Sequence, residues 1–174
     1  EIASVFEADG VAAGEPGEGD VCAKGFYTVG PQGQIPAGLY YLEGSNEKLS
    51  HYYVFDGDDG RYSLDDSVQY FGNYFVDLDE GDLIVFDPGD EATMYPAPST
   101  STNPTAPYTN GCYRVGIDIP AGSYTITETG DVPDGYAKAP DVPITIAAAG
   151  SITSTTAGAV TGGDAPGIDA KITV

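Results

Sequence analysis

Few side chains in this sequence are equipped for covalent chemistry. The chain has one histidine, His51, and it follows Ser50 directly. A serine nucleophile needs a base within hydrogen-bond reach. Neighbours on a strand point to opposite faces, so Ser50 and His51 do not meet, and the spacing predicts a surface or edge histidine. Cys22 and Cys112 are the only cysteines, and no motif joins Cys112 to His51 as a thiol dyad. In an exported chain two cysteines suggest one disulfide. It would tie the N-terminal segment to the second half and add ~3–5 kcal/mol for so long a loop. A buried thiol at Cys112 is the other reading.

Acidic residues cluster at Asp56-Gly57-Asp58-Asp59, Asp65-Asp66, Asp77-Leu78-Asp79-Glu80-Gly81-Asp82 and Asp87-Pro88-Gly89-Asp90-Glu91. Ca²⁺ takes about six to eight oxygens, and Asp-x-Asp spacing on a loop supplies several. Asp56, Asp58, Asp59, Asp77 and Asp79 are therefore candidate Ca²⁺ ligands. No cluster has the full EF-hand pattern, and solvated hairpin turns explain the same residues. No other cofactor is expected. Glycoside hydrolysis needs two carboxyl groups at a set separation, and nothing singles out such a pair. No catalytic residues are predicted.

Tyrosine gives the clearest binding signal. Tyr40, Tyr41, Tyr52, Tyr53, Tyr62, Tyr70 and Tyr74 crowd the first half. Of two adjacent tyrosines on a strand, one faces the core and the other faces outward. Tyr40, Tyr41, Tyr52, Tyr53 and Tyr62 are thus candidate contacts for a glycan or a protein. Tyrosine that fills a core with its hydroxyl at the rim would look the same.

These residues need an all-β scaffold. The 174 residues include 24 Gly, 13 Pro and 13 Tyr, without Trp, which favours short strands and many turns. Period-two alternation recurs. Tyr74, Val76 and Leu78 share one face and Asp77 takes the other; Tyr124 with Ile126 and Ile144 with Ile146 repeat the pattern. Tyr52-Tyr53-Val54-Phe55 and Leu83-Ile84-Val85-Phe86 read as strands buried on both faces. Asp56-Gly57, Glu80-Gly81, Pro88-Gly89 and Asp134-Gly135 punctuate as turns. The formal net charge of −21 repels phosphate backbones and anionic lipid surfaces. No stretch reaches the ~18–20 apolar residues of a membrane span. The chain opens at Glu1 without methionine, so a processed or truncated start is expected.

One pattern occurs twice. Gly25-Phe26-Tyr27-Thr28-Val29-Gly30 and Ile35-Pro36-Ala37-Gly38-Leu39-Tyr40-Tyr41-Leu42 match Gly111-Cys112-Tyr113-Arg114-Val115-Gly116 and Ile119-Pro120-Ala121-Gly122-Ser123-Tyr124-Thr125-Ile126. Each copy reads as strand, turn, strand, with Pro presetting φ for the turn. So specific a repeat points to duplication. Residues 1–24 form an N-terminal segment, 25–95 a first β-sandwich repeat, 96–110 a Pro/Ser/Thr-rich, stiff and extended linker, and 111–174 a second repeat. The second repeat stops at Val174, where the first goes on to Leu83–Phe86. Ile2-Ala3-Ser4-Val5-Phe6 is a candidate strand to fill that place, in the same molecule or a neighbour.

The run Tyr113-Arg114-Val115-Gly116-Ile117-Asp118-Ile119-Pro120-Ala121-Gly122-Ser123-Tyr124 resembles a repeat module of exported Gram-positive bacterial proteins. The first copy departs from it at Gln34, where Asp is usual. The second half, through Ala121–Glu128, Val132-Pro133-Asp134-Gly135-Tyr136, Pro143–Ile146 and Ile172–Val174, is also similar to collagen-adhesin B-type, prealbumin-like stalk domains. These resemblances imply export, a β-sandwich and a cell-surface, adhesin-like setting, and bring no activity. Glu128 stands where the stalk domains place the acid that promotes a Lys–Asn isopeptide bond. The bond itself is not expected, because no Lys occupies the first strand of this half and no Asn follows Val174.

The sequence thus predicts a non-catalytic, secreted or surface-attached bacterial protein of two tandem β-sandwich-like repeats, with a structural or adhesive role and a glycan or protein ligand. Two rival readings are a carbohydrate-active enzyme or accessory domain, and a stalk- or pilin-like spacer without a ligand. Strand exchange would make the latter oligomeric.

Overall fold

The computed structural model describes residues 10–58, 61–128, 140–146, 151–153 and 170–173. For Asp58, Glu128 and the last two segments it describes the backbone alone. The chain is mostly β-sheet: β1 (Gly25–Thr28), β2 (Gly38–Glu43), β3 (Ser50–Asp58), β4 (Arg61–Tyr70), β5 (Asn73–Leu78), β6 (Leu83–Asp87), β7 (Met94–Pro96), β8 (Cys112–Arg114), β9 (Gly122–Glu128), β10 (Val142–Ile146), β11 (Ser151–Thr153) and β12 (Ala170–Thr173). They form antiparallel sheets in the orders β1-β6-β3-β4, β5-β2-β7, β10-β9-β12 and β11-β8. Among the described residues no helix is long and apolar enough to cross a membrane.

Alternation decides which side chains meet. Tyr27, Tyr52, Val54, Tyr70, Ile84 and Phe86 from the first sheet share a buried cluster with Tyr40, Leu42, Val76, Leu78 and Met94 from the second. Burying one such side chain contributes ~1.5–3 kcal/mol. Buried tyrosines need a partner for the hydroxyl. Tyr27 donates to the Ala23 carbonyl at 2.8 Å, Tyr70 to that of Glu43 at 3.0 Å, and Tyr52 to Asp66 Oδ2 at 2.8 Å.

The expected strand buried on both faces is right for β6, all of whose residues from Leu83 to Phe86 are buried. For β3 it needs correcting. Tyr52 and Val54 are buried, but Tyr53 and Phe55 are half-buried on the outer face. There Val11 packs with Phe26, Leu83 and Val85, and Ala13 pairs with Phe26 beside β1. Cover is therefore best over β1 and β6, and Leu64 on the outermost strand, β4, remains 57 % exposed. The segment Ile2–Phe6 lies outside the described residues. The place beside β8 that matches β6 beside β1 is taken by β11, with Ile152 opposite Tyr113 as Ile84 is opposite Tyr27.

Both copies of the repeated pattern adopt the same local geometry. Tyr40 and Tyr124 donate to the carbonyls of Pro36 and Pro120, four residues back. Tyr27 and Tyr113 do the same to Ala23 and Thr109. Val29 bridges Ile35, and Val115 bridges Ile119. The departure at Gln34 also has a physical account. Gln34 Oε1 accepts the Thr28 N–H at 3.1 Å, and Asp118 Oδ2 accepts the Arg114 N–H at 2.9 Å. Either side chain closes the turn because each places an acceptor oxygen at the same N–H.

The segment 96–110, expected as a stiff and extended linker, is strapped down against the second half. Arg114 donates from Nη1 to the Pro98 carbonyl at 2.7 Å and from Nη2 to that of Thr100 at 2.9 Å. Thr102 donates its N–H and hydroxyl to Asp118 Oδ1 at 2.8 and 2.9 Å. Tyr108 joins the second core with Tyr113, Ile119, Tyr124 and Ile146.

The Asp79–Asp82 turn shows what one acid cluster does. Asp82 Oδ2 accepts the Asp79 N–H at 2.8 Å, while the side chain is buried. Burial raises its pKa, and the nearby charges of Asp79, Asp56 and Asp65 add to the rise. A carboxylate whose folded pKa is raised costs stability above its unfolded pKa, and the cost disappears on acidification. Asp82→Asn keeps an acceptor oxygen and removes the charge. We therefore expect the variant to match or exceed the parent in urea denaturation at pH 7, with its advantage shrinking as pH falls toward 4.

Candidate functional site

The residues with chemical potential are mostly spent on structure. Ser50 is fully buried; its hydroxyl donates to the Pro88 carbonyl at 2.6 Å and accepts the Ser45 N–H at 3.2 Å. His51 is half-buried on the opposite face of β3. Of the two readings of the cysteines, the structure has no Cys22–Cys112 bond, and both side chains are buried thiols. Cys22 sits in the first core, bridged to Met94 on β7, while Cys112 lies on β8 with its carbonyl accepting from Asn73. Each is held by a different strand pairing. Burial, with Asp20 beside it, pushes the Cys22 thiol up to about 12, which leaves it protonated and unreactive.

Among the described residues no three His, Cys, Asp or Glu side chains converge to hold a metal. Asp59 lies outside those residues, and only the backbone of Asp58 is described. Asp56 and Asp77 are exposed, and Asp79 belongs to the turn held by Asp82.

The five candidate tyrosines do not share one surface. Tyr40 and Tyr52 are core, as alternation demands. Tyr53 is half-buried on the outer face of β3, and Tyr62 is 38 % exposed on β4. Tyr41 alone stands on the outer face of the β5-β2-β7 sheet. Its register partners are Phe75 on β5 and Tyr95 on β7, with ring centroids 5.2 and 5.4 Å away. The Arg114 guanidinium lies 4.7 Å from the centroid of Phe75, a cation–π contact that ties this face to the second half.

Beside this aromatic row is a cleft of about 290 Å³. Tyr41, Asn46, Gly72 and Asn73 form one wall; Thr102, Pro104, Thr105, Thr109, Asn110 and Tyr113 form the other. None of these side chains is charged. Asn73 Nδ2 donates to the Cys112 carbonyl at 2.7 Å and Tyr113 to the Thr109 carbonyl at 2.7 Å, so both are fixed. Burial, with Tyr95 and Glu43 near, raises the Tyr41 pKa well above its ordinary value, so the phenol stays a neutral donor. A larger hollow of about 450 Å³ lies along Gly30–Ala37 beside Glu80. Its lining is mostly glycine, proline and alanine, and its Gln34 side chain is already hydrogen-bonded to Thr28 and Gly14. The smaller cleft has more convergent polar groups and an aromatic wall, the usual make-up of a binding site.

Sequence reasoning missed Asn46, Asn73, Thr105, Thr109, Asn110 and Tyr113, because they come together only through the strapped segment. One signal was available. Arg114 is one of only six basic residues, and it sits inside an apolar strand pattern, where a charge needs a partner.

Comparisons with protein-family models, with curated proteins and with solved structures returned no significant match to this chain.

Proposed function

We propose that this chain is a non-catalytic recognition module of an exported bacterial protein, secreted or attached to the cell surface. It is built from two tandem sandwich-like repeats and binds its ligand in the cleft between β2 and residues 102–113. The observation that carries this reading is Tyr41: an outward aromatic braced by Phe75 and Tyr95 and set among uncharged amides and hydroxyls. The matching turns of the two copies support duplication. The strong negative charge argues against nucleic-acid partners.

The test is capture of residues 1–174 by immobilised glycans and extracellular-matrix proteins, with Ca²⁺ and with chelator. We expect a ligand whose affinity falls at least ~10-fold, about 1.4 kcal/mol, in Tyr41→Ala. Chelator sensitivity would support Ca²⁺ binding by Asp56, Asp58, Asp59, Asp77 and Asp79, apart from the cleft. A blank under both conditions would favour a spacer without ligand, a second reading that the strapping of residues 98–102 by Arg114 and Asp118 also supports.

A further inference from the structure

We propose that the cleft takes a single terminal residue of a neutral saccharide and discriminates against acidic sugars. The inference rests on the recognition reading and narrows it to one ligand class. At about 290 Å³ the cleft lies at the lower end of the ~300–1,000 Å³ typical of small-molecule sites. That suits one ring held end-on better than an extended oligosaccharide.

The wall chemistry sets the class. Tyr41 supplies a ring to lie against the apolar face of a sugar. The Asn46 amide and the Thr105 and Thr109 hydroxyls line the cleft, and each can both donate and accept. A sugar hydroxyl needs that pairing. A carboxylate or sulfate needs a cation instead, and none lines the cleft. Arg114, the nearest candidate, is already committed: its Nε and Nη2 bond Asp118 at 2.8 and 3.1 Å, and its other bonds hold Pro98 and Thr100. The net charge of −21 adds long-range repulsion of anions. Because one wall comes from the first half and the other from the strapped segment and β8, a bound ring touches both and stabilises their contact by linkage.

The experiment is a titration of the full chain, followed by NMR shifts and by melting temperature. The probes are glucose, galactose and mannose, with glucuronic, galacturonic and mannuronic acids as their charged counterparts. At least one neutral sugar should bind saturably and raise the melting temperature, with its uronic acid at least ten-fold weaker. Tyr41→Ala and Asn46→Ala should each weaken binding at least five-fold. Tyr41→Phe, which keeps the ring, should retain most of it, separating contact from misfolding. Uronic acids that bind as well as neutral sugars would overturn the proposal. So would neutral-sugar binding indifferent to both alanine changes. If no sugar binds while a protein ligand is captured and lost in Tyr41→Ala, the saccharide assignment fails and the recognition reading stands. If neither sugar nor protein binds, both fall.

Discussion

Arg114→Ala is expected to lower the unfolding free energy by about 3–5 kcal/mol, the range for breaking one partner out of a buried ion pair. The pair is bidentate, with the Arg114 side chain 14 % exposed and that of Asp118 fully buried. Removing the guanidinium leaves a buried carboxylate without its charge partner. It also releases the Pro98 and Thr100 carbonyls and the contact with Phe75. The damage should spread beyond the second half, because Arg114 touches β5, the strapped segment and the Asp118 turn. In urea denaturation the midpoint should fall, and the ligand binding proposed for the cleft should weaken along with it. A midpoint within the error of the parent would show that the pair is worth no more than an exposed one.

Asp118 gives the pair a pH signature. Burial on its own would raise the carboxyl pKa. The side-chain bond from Arg114, the Thr102 and Arg114 backbone N–H groups and the Thr102 hydroxyl outweigh burial and hold it down at about 2. A depressed carboxylate contributes stability that is present above the unfolded pKa of 3.8 and lost as pH falls from there through about 2. The parent should therefore lose stability between about pH 4 and 2 faster than Asp118→Asn, which has already forfeited that contribution.

Gly72→Ala should also be strongly damaging, although it adds only a methyl group. Gly72 has φ +77°, and a Cβ there would lie 1.8 Å from the Asn110 backbone oxygen. Backbone cannot rotate away as a side-chain tip can, so the two cleft walls must part. A left-handed backbone on its own costs about 1–2 kcal/mol in a residue other than glycine. Gly116 has a similar φ of +84° with nothing within 4 Å of its Cβ position, so Gly116→Ala measures that backbone cost alone. The difference between the two variants isolates the close approach. We expect Gly72→Ala to lose about 2 kcal/mol or more beyond the control and to abolish ligand binding, while Gly116→Ala still binds. Equal losses would mean that the walls are not in contact at Gly72.

The sequence was most informative where the cause is local. Tyr40 against Tyr41 and Tyr52 against Tyr53 separate as alternation requires, because successive Cβ atoms on a strand leave opposite faces. The paired Ile-Pro-Ala-Gly turns were visible as a repeat, and each closes on its own tyrosine four residues on. Gln34 was visible only as a departure. That its amide oxygen takes over the role of the Asp118 carboxylate depends on where the side chain reaches.

Sequence by itself therefore determined the strand-rich character, the alternating tyrosines, the repeated turn and the strong negative charge. Each follows from backbone sterics, side-chain period or simple counting within a short window. Tertiary structure decided what depends on distant segments meeting. Cys22 and Cys112 went to different strand pairings, Arg114 became the clasp of the 96–110 segment, and Tyr41 rather than Tyr53 or Tyr62 was set beside amides and hydroxyls. The Arg114–Asp118 pair is itself local, four residues apart, but its hold on Pro98, Thr100 and Thr102, like the close approach of Gly72 to Asn110, joins segments that the order of neighbouring residues does not bring together.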